Sequence, residues 1–157
     1  MSERLKNKVG LITGAAQGLG KEMAKSMISQ GATIVVTDIN ETALIETANK
    51  LSCKHIVMDV TKEDDWKNVI SDIEKNIGSL NILVNNAGIG GGGDVESTDL
   101  ESWHLVHSVN LDSVFLGCKS SLPLMRKSGN GSIINISSMS GIVASHNMSS
   151  FAAAAGS

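Results

Sequence analysis

At 157 residues the chain is about one domain long, large enough to remove roughly 70% of its unfolded-state surface from water. Thirteen Lys and Arg against sixteen Asp and Glu leave a formal net charge of −3, so no basic surplus exists to hold a nucleic acid or an anionic membrane surface. No apolar run approaches the ~18 residues of a membrane span, and the charged MSERLKNK passes straight into VGLIT without the pattern of a signal peptide. Cys53 and Cys118 stand far apart in unrelated contexts, which suggests two reduced thiols in a cytoplasmic protein rather than a disulfide or metal framework.

Short apolar runs alternate with helical patterns along the whole chain, as a parallel sheet covered on both faces requires. The expected strands are VGLIT (9–13), TIVVTD (33–38), HIVMDV (55–60), NILVNNAG (81–88) and SIINISS (132–138). Each is β-branched and nearly continuous in apolar character. Leu19, Met23, Met27 and Ile28 mark one helical stripe; Trp66, Val69, Ile70, Ile73 and Ile77 mark another. Thr61 with Asp64, and Thr98 with Glu101, read as capping boxes. Residues 99–127 read as one long helix that Pro123 bends or ends. A glycine-rich stretch, GIGGGGD at 88–94, reads as a mobile loop at a strand end, where open α/β sheets bind ligands; a turn without specific contacts is the other reading.

TGAAQGLGK at 13–21 follows a strand and opens a helix, the setting in which backbone N–H groups approach a diphosphate. Its glycines, Gly14, Gly18 and Gly20, do not have P-loop spacing, and Glu22 stands where a magnesium-ligating hydroxyl belongs. A nucleoside triphosphatase is therefore disfavoured. Strand 33–38 ends on Asp38, eighteen residues past Gly20, near the spacing of the acid that takes a ribose hydroxyl pair. A carboxylate there repels a 2′-phosphate, and neither Gln17 nor Ile39 supplies a cation to offset it. NAD is thus expected in preference to NADP.

These motifs, in this order, resemble those of the short-chain dehydrogenase/reductase family. The resemblance rests on T-G-x-x-x-G-x-G (Thr13–Gly20), the pair Asp59-Val60, N-N-A-G (Asn85–Gly88), Asn110 in SVNLDSVF, and ISS (Ile136–Ser138). It implies a doubly wound Rossmann domain over 1–157 with strand order 3-2-1-4-5, belonging to a longer chain. It implies that Gly14, Gln17, Leu19 and Gly20 line a diphosphate, that Asp38 takes the adenosine ribose, and that Asp59 and Val60 border the adenine. Asn86, Ala87 and Gly88 would pass beneath the second ribose. Asp59 as a strand-end cap and Asn85 as a strand-end hydrogen-bonder remain open. The implied activity is hydride transfer between NAD and a small alcohol or ketone, by a homo-oligomer at full length. Ser138 would hold the reacting oxygen, and Asn110 would keep a helix open for a water relay.

The catalytic tyrosine and lysine of the family fall at Phe151, thirteen residues past Ser138, and at Ala155 four further on. The chain has no tyrosine at all. Phe keeps the ring without the O–H, and Ala removes the cation that depresses a phenol's pKa from about 10. His146, on the loop leading into this helix, is the nearest titratable substitute, and another element's geometry argues against it. His104 and His107 lack a third ligand, so no metal is expected. SGIVASHNMSS (140–150) supplies one wall of a substrate site, and without a further strand SIINISS would be an apolar, unpaired edge. The sequence therefore suggests a cofactor-binding but catalytically impaired dehydrogenase; the alternative is a non-catalytic NAD-binding or interaction protein of the same fold.

Overall fold

The computed structural model describes residues 3–143 and 146–157. Five strands, β1 (Val9–Thr13), β2 (Thr33–Asp38), β3 (Lys54–Val57), β4 (Ile82–Asn85) and β5 (Ser132–Asn135), form one parallel sheet in the order β3-β2-β1-β4-β5. The family's expected strand order is the order found. Crossover helices α1 (Gly18–Ser29), α2 (Glu41–Leu51) and α3 (Glu63–Asn76) join the first four strands. A longer helical passage joins β4 to β5: α4 (Leu100–His107), a π turn (Ser108–Asp112) and α5 (Ser113–Lys127). A 3₁₀ turn (Met139–Gly141) then leads towards α6 (Ser149–Ala155).

Alternation along each strand divides the core in two. Leu11 lies beside Val35 and Leu83, and all three face the layer built on Trp66, Val69 and Ile73 of α3 and Leu124 of α5. One residue on, Ile12 lies beside Val36 and Val84 and faces Ala24 of α1 with Leu44 and Ala48 of α2. The Trp66 stripe is core as expected, with the indole N–H donating to the Val60 carbonyl at 2.9 Å. In the other stripe Met23, Met27 and Ile28 pack on the core, whereas Leu19 is 69% exposed. Leu19 instead projects into the cleft described below.

Three strands end earlier than the apolar runs suggested. Beyond Val57 and Asn85 the chain turns away because its donors find side-chain acceptors: the Asp59 N–H donates to Asp65, and the Asn86 N–H donates to the Thr13 hydroxyl. Neither threonine capping box forms. Thr61 donates its N–H and O–H to Asp59, leaving Lys62 at the α3 N-cap without a side-chain bond. Thr98 donates to the Asp94 carbonyl, and Asp99 caps α4 by accepting from the Ser102 N–H at 2.7 Å. Pro123 does not end its helix, which runs on to Lys127. Pro123 and Lys119, whose carbonyl the proline cannot serve, are both exposed, so water can satisfy that carbonyl. Both cysteines are free, and among the described residues no helix is long and apolar enough to cross a membrane.

Candidate functional site

β1 is flanked by β2 on one side and β4 on the other, so the connections leaving it diverge and open a crevice at the strands' carboxyl ends. Two cavities occupy this end. One, about 600 Å³, is lined by Gly14, Gln17, Leu19, Asp38, Ile39, Met58, Asp59, Val60, Asn86, Ala87, Gly88, Ile89, Leu105 and Val109. The second, about 420 Å³, takes in Asn110, Asn135, Ser137, Ser138, Phe151 and Ala155. They share Leu19, Asn86, Ala87, Gly88 and Ile89 as a common wall, which makes them two halves of one cleft. Every sequence-predicted site residue except Gly20 lines one half or the other.

Gly20 has a packing role. A Cβ there would lie 2.5 Å from the Gly14 carbonyl oxygen and 2.6 Å from the Asn86 amide nitrogen, so Gly20 lets α1 pack against the loop that precedes it. Gly14, with φ of +62°, makes the turn out of β1. Ahead of α1, Gln17 has extended backbone and provides no side-chain cap, and no acidic residue lies in the first turn. The uncapped N–H groups at this helix start are disposed for an anion.

The Asp38 carboxylate accepts from the Ala16 N–H on one oxygen and the Asn40 N–H on the other, both at 3.0 Å. Each oxygen keeps a lone pair for the cavity that it lines. Asp59 is held by Thr61 and lies 3.5 Å from Lys62. Burial pushes its carboxyl up, but the hydrogen bonds from Thr61 and the Lys62 charge outweigh burial and hold it below the usual carboxylate value. It is thus both the strand-end cap left open by the sequence and part of the wall.

Thr13 was not singled out by sequence, although it heads the glycine motif. Its buried hydroxyl accepts from the Asn86 and Ala87 N–H groups, each at 3.0 Å. Asn86 returns its amide N–H groups to the carbonyls of Thr13 and Gly14 at 2.9 and 3.0 Å. The buried Thr47 hydroxyl steadies the same loop by donating to the Ala16 carbonyl at 2.6 Å. Asn85 is a strand-end hydrogen-bonder, donating to the Asn135 side chain at 2.9 Å. Asn110 sits within the π turn and pairs both ends of its amide with the Ile89 backbone, at 2.8 and 2.9 Å.

The glycine-rich stretch has specific contacts rather than forming a free turn. Gly93 pairs with Met148, donates to the Asn147 carbonyl and accepts from the Ser149 N–H and O–H. Gly91 has no room for a Cβ against Ser150 and Val106. These contacts fix the start of α6. Its end is held where the Ser137 hydroxyl donates to the Ala155 carbonyl at 2.6 Å, beside Gly141. Phe151 and Ala155, one turn apart, therefore face the same cavity as Ser138, whose hydroxyl accepts from the Ser140 N–H at 3.2 Å. His146 is exposed and lines neither cavity. His107 stacks on Trp103 with ring centroids 4.2 Å apart, and no metal-binding cluster occurs among the described residues. The 140–150 stretch expected to form a wall includes residues 144 and 145, which lie outside the described residues.

A family model for short chain dehydrogenase matches residues 8–156. The chain belongs to the short-chain dehydrogenase family. Relatives include a 3-beta-hydroxysteroid dehydrogenase of Comamonas testosteroni, 41% identical over 142 residues, covering 89% of this chain and 56% of that protein. Trans-4-hydroxycyclohexanecarboxylate dehydrogenase of Sinomonas cyclohexanicum is 36% identical, covering 98% of this chain and 63% of that protein. The crystal structure of a short chain dehydrogenase from Mycobacterium smegmatis superposes with a TM-score of 0.93 at 35% identity, over 97% of this chain and 67% of that one. The chain spans about three-fifths of the length of the two curated dehydrogenases, 56% and 63%. Membership gives the cleft its context: a short-chain dehydrogenase fold in which Phe151 and Ala155 line the smaller half with Ser138.

Proposed function

We propose that this chain binds NAD in the cleft of a short-chain dehydrogenase and holds it better than it turns it over. The observation that carries the reading is a two-part cleft whose smaller half, the reaction half, has no titratable side chain among its described lining residues. The fit to a dinucleotide rests on the uncapped start of α1, the turn at Gly14 and the carboxylate of Asp38 in one continuous crevice. Asp38 would accept from a ribose hydroxyl, and among the described residues no cationic side chain lines that half to welcome a 2′-phosphate.

Nicotinamide, when bound, supplies reversible hydride exchange with a carbinol or carbonyl carbon. The rest falls to the protein. Asn86, Ala87 and Gly88, braced by Thr13, would support the ribose beside the ring. The Ser138 hydroxyl would donate to the reacting oxygen, whose charge changes as hydride moves. Asn110 holds the loop at Ile89 in place. Phe151 fills the wall but cannot donate a proton, and Ala155 brings no cation to depress an acid's pKa. Proton exchange is thereby left to solvent. Both curated relatives are named for dehydrogenation of hydroxylated compounds, and an alcohol or ketone is the substrate class inferred here. The lack of an acid/base also favours a second reading, a non-catalytic NAD-binding protein of the same fold.

Calorimetric titration should give tighter binding of NAD than of NADP, with negligible dehydrogenase activity on secondary alcohols. Robust turnover by the unaltered chain would overturn the assignment of proton transfer to the position of Phe151. Phe151→Tyr with Ala155→Lys should raise turnover on the order of 10²-fold or more. In a chain extended to the length of its relatives, a double variant that binds NADH yet stays inactive on a broad alcohol and ketone panel would favour the non-catalytic reading.

A further inference from the structure

Charge along the cleft is one-sided. Among the described residues lining its two halves, the titratable side chains are Asp38 and Asp59, and none is a lysine, arginine or histidine. Lys62 lies 3.5 Å from Asp59 but outside the lining, and so does Lys21 in the first turn of α1. Among the described residues, the reaction half carries no charged side chain, and its aromatic wall residue is Phe151. An aromatic face attracts a cation, and a cavity free of positive charge does not repel one.

Resting on the NAD-binding reading above, we infer that this cleft selects the oxidised dinucleotide, whose nicotinamide ring is cationic, over the reduced dinucleotide, whose ring is neutral. The two forms share their adenine, riboses and diphosphate, so contacts to Asp38, Gln17 and the α1 start largely cancel in the ratio of their affinities. What remains is the response of the reaction half to one positive charge. Ala155 sets that response, since a lysine at the same place would put a like charge into the cavity wall. The chain would then act as a binder whose occupancy follows the oxidised form of the cofactor.

The test compares dissociation constants of NAD⁺ and NADH for the unaltered chain and for Ala155→Lys and Ala155→Met, by calorimetry at fixed ionic strength. The unaltered chain should bind NAD⁺ at least as tightly as NADH. Ala155→Lys should raise the ratio Kd(NAD⁺)/Kd(NADH) on the order of three- to tenfold. Ala155→Met, which adds length without charge, should leave the ratio within about twofold of the starting value. Tighter NADH binding by the unaltered chain overturns the inference, even if the lysine variant fails to fold. An unchanged ratio in a folded Ala155→Lys overturns it too. Failure of both dinucleotides to bind the unaltered chain refutes the cofactor reading itself and this inference with it.

Discussion

Thr13 shows how one hydroxyl can carry a site. It is 1% exposed, accepts from two successive N–H groups of the β4–α4 connection, and lies 3.4 Å from the Val84 carbonyl as donor. Thr13→Val keeps the shape but leaves the Asn86 and Ala87 N–H groups without that acceptor. The expected loss is about 1–3 kcal/mol, measured as a shift in the urea midpoint, with NAD affinity falling alongside because Asn86 and Ala87 form the shared wall of the cleft. Thr13→Ser should retain most of both. Spacing alone singled out Asp38 as a candidate, but its hold on the Ala16 N–H of the glycine loop was not legible. The bond joins residues 22 apart in sequence, and nothing local specifies it.

Among the elements, α1 depends on the absence of a side chain at Gly20. Since a Cβ would sit 2.5 Å from one backbone oxygen and 2.9 Å from the Ala15 Cα, Gly20→Ala requires the loop or the helix to move. Overpacking of this kind costs about 1–3 kcal/mol, so the variant should melt at a lower temperature and bind NAD more weakly. The passage from 99 to 127 illustrates the limits of helical periodicity. Its helical character was readable, but the π turn at Ser108–Asp112 was not. Within that turn the Asn110 amide bonds the Ile89 backbone, 21 residues away, a partner supplied by another element. The threonine capping boxes failed for a similar reason, because nearby aspartate and backbone acceptors engaged both hydroxyls.

Across the whole molecule, burial falls from the centre of the sheet to β5. Leu83, between Leu11 and Ile133 in register, is fully buried, whereas Ile134 of β5 is 36% exposed. Leu83→Ala should therefore cost about 2–5 kcal/mol. Ile134→Ala should cost clearly less, because much of its side chain is already hydrated. Urea denaturation of the two variants, side by side, reads this gradient directly. Equal losses would mean that β5 is as deeply packed as the central strands. In the described sheet β5 pairs with β4 along Ser132–Asn135.

The sequence by itself determined the fold class, the strand order through family resemblance, and the placement of Phe151 and Ala155 relative to Ser138. Apolar runs and motif spacings are local along the chain, and they survive as strings of residues. Tertiary structure decided that the cleft has two joined halves, that Gly20 packs rather than lines, and that the glycine stretch is tied to α6 through Gly93 and Ser149. It also brought Thr13, Thr47 and Asn110 to the loops that they hold. Each depends on a donor and an acceptor far apart in sequence meeting when the sheet assembles, and no periodicity or spacing encodes such a meeting.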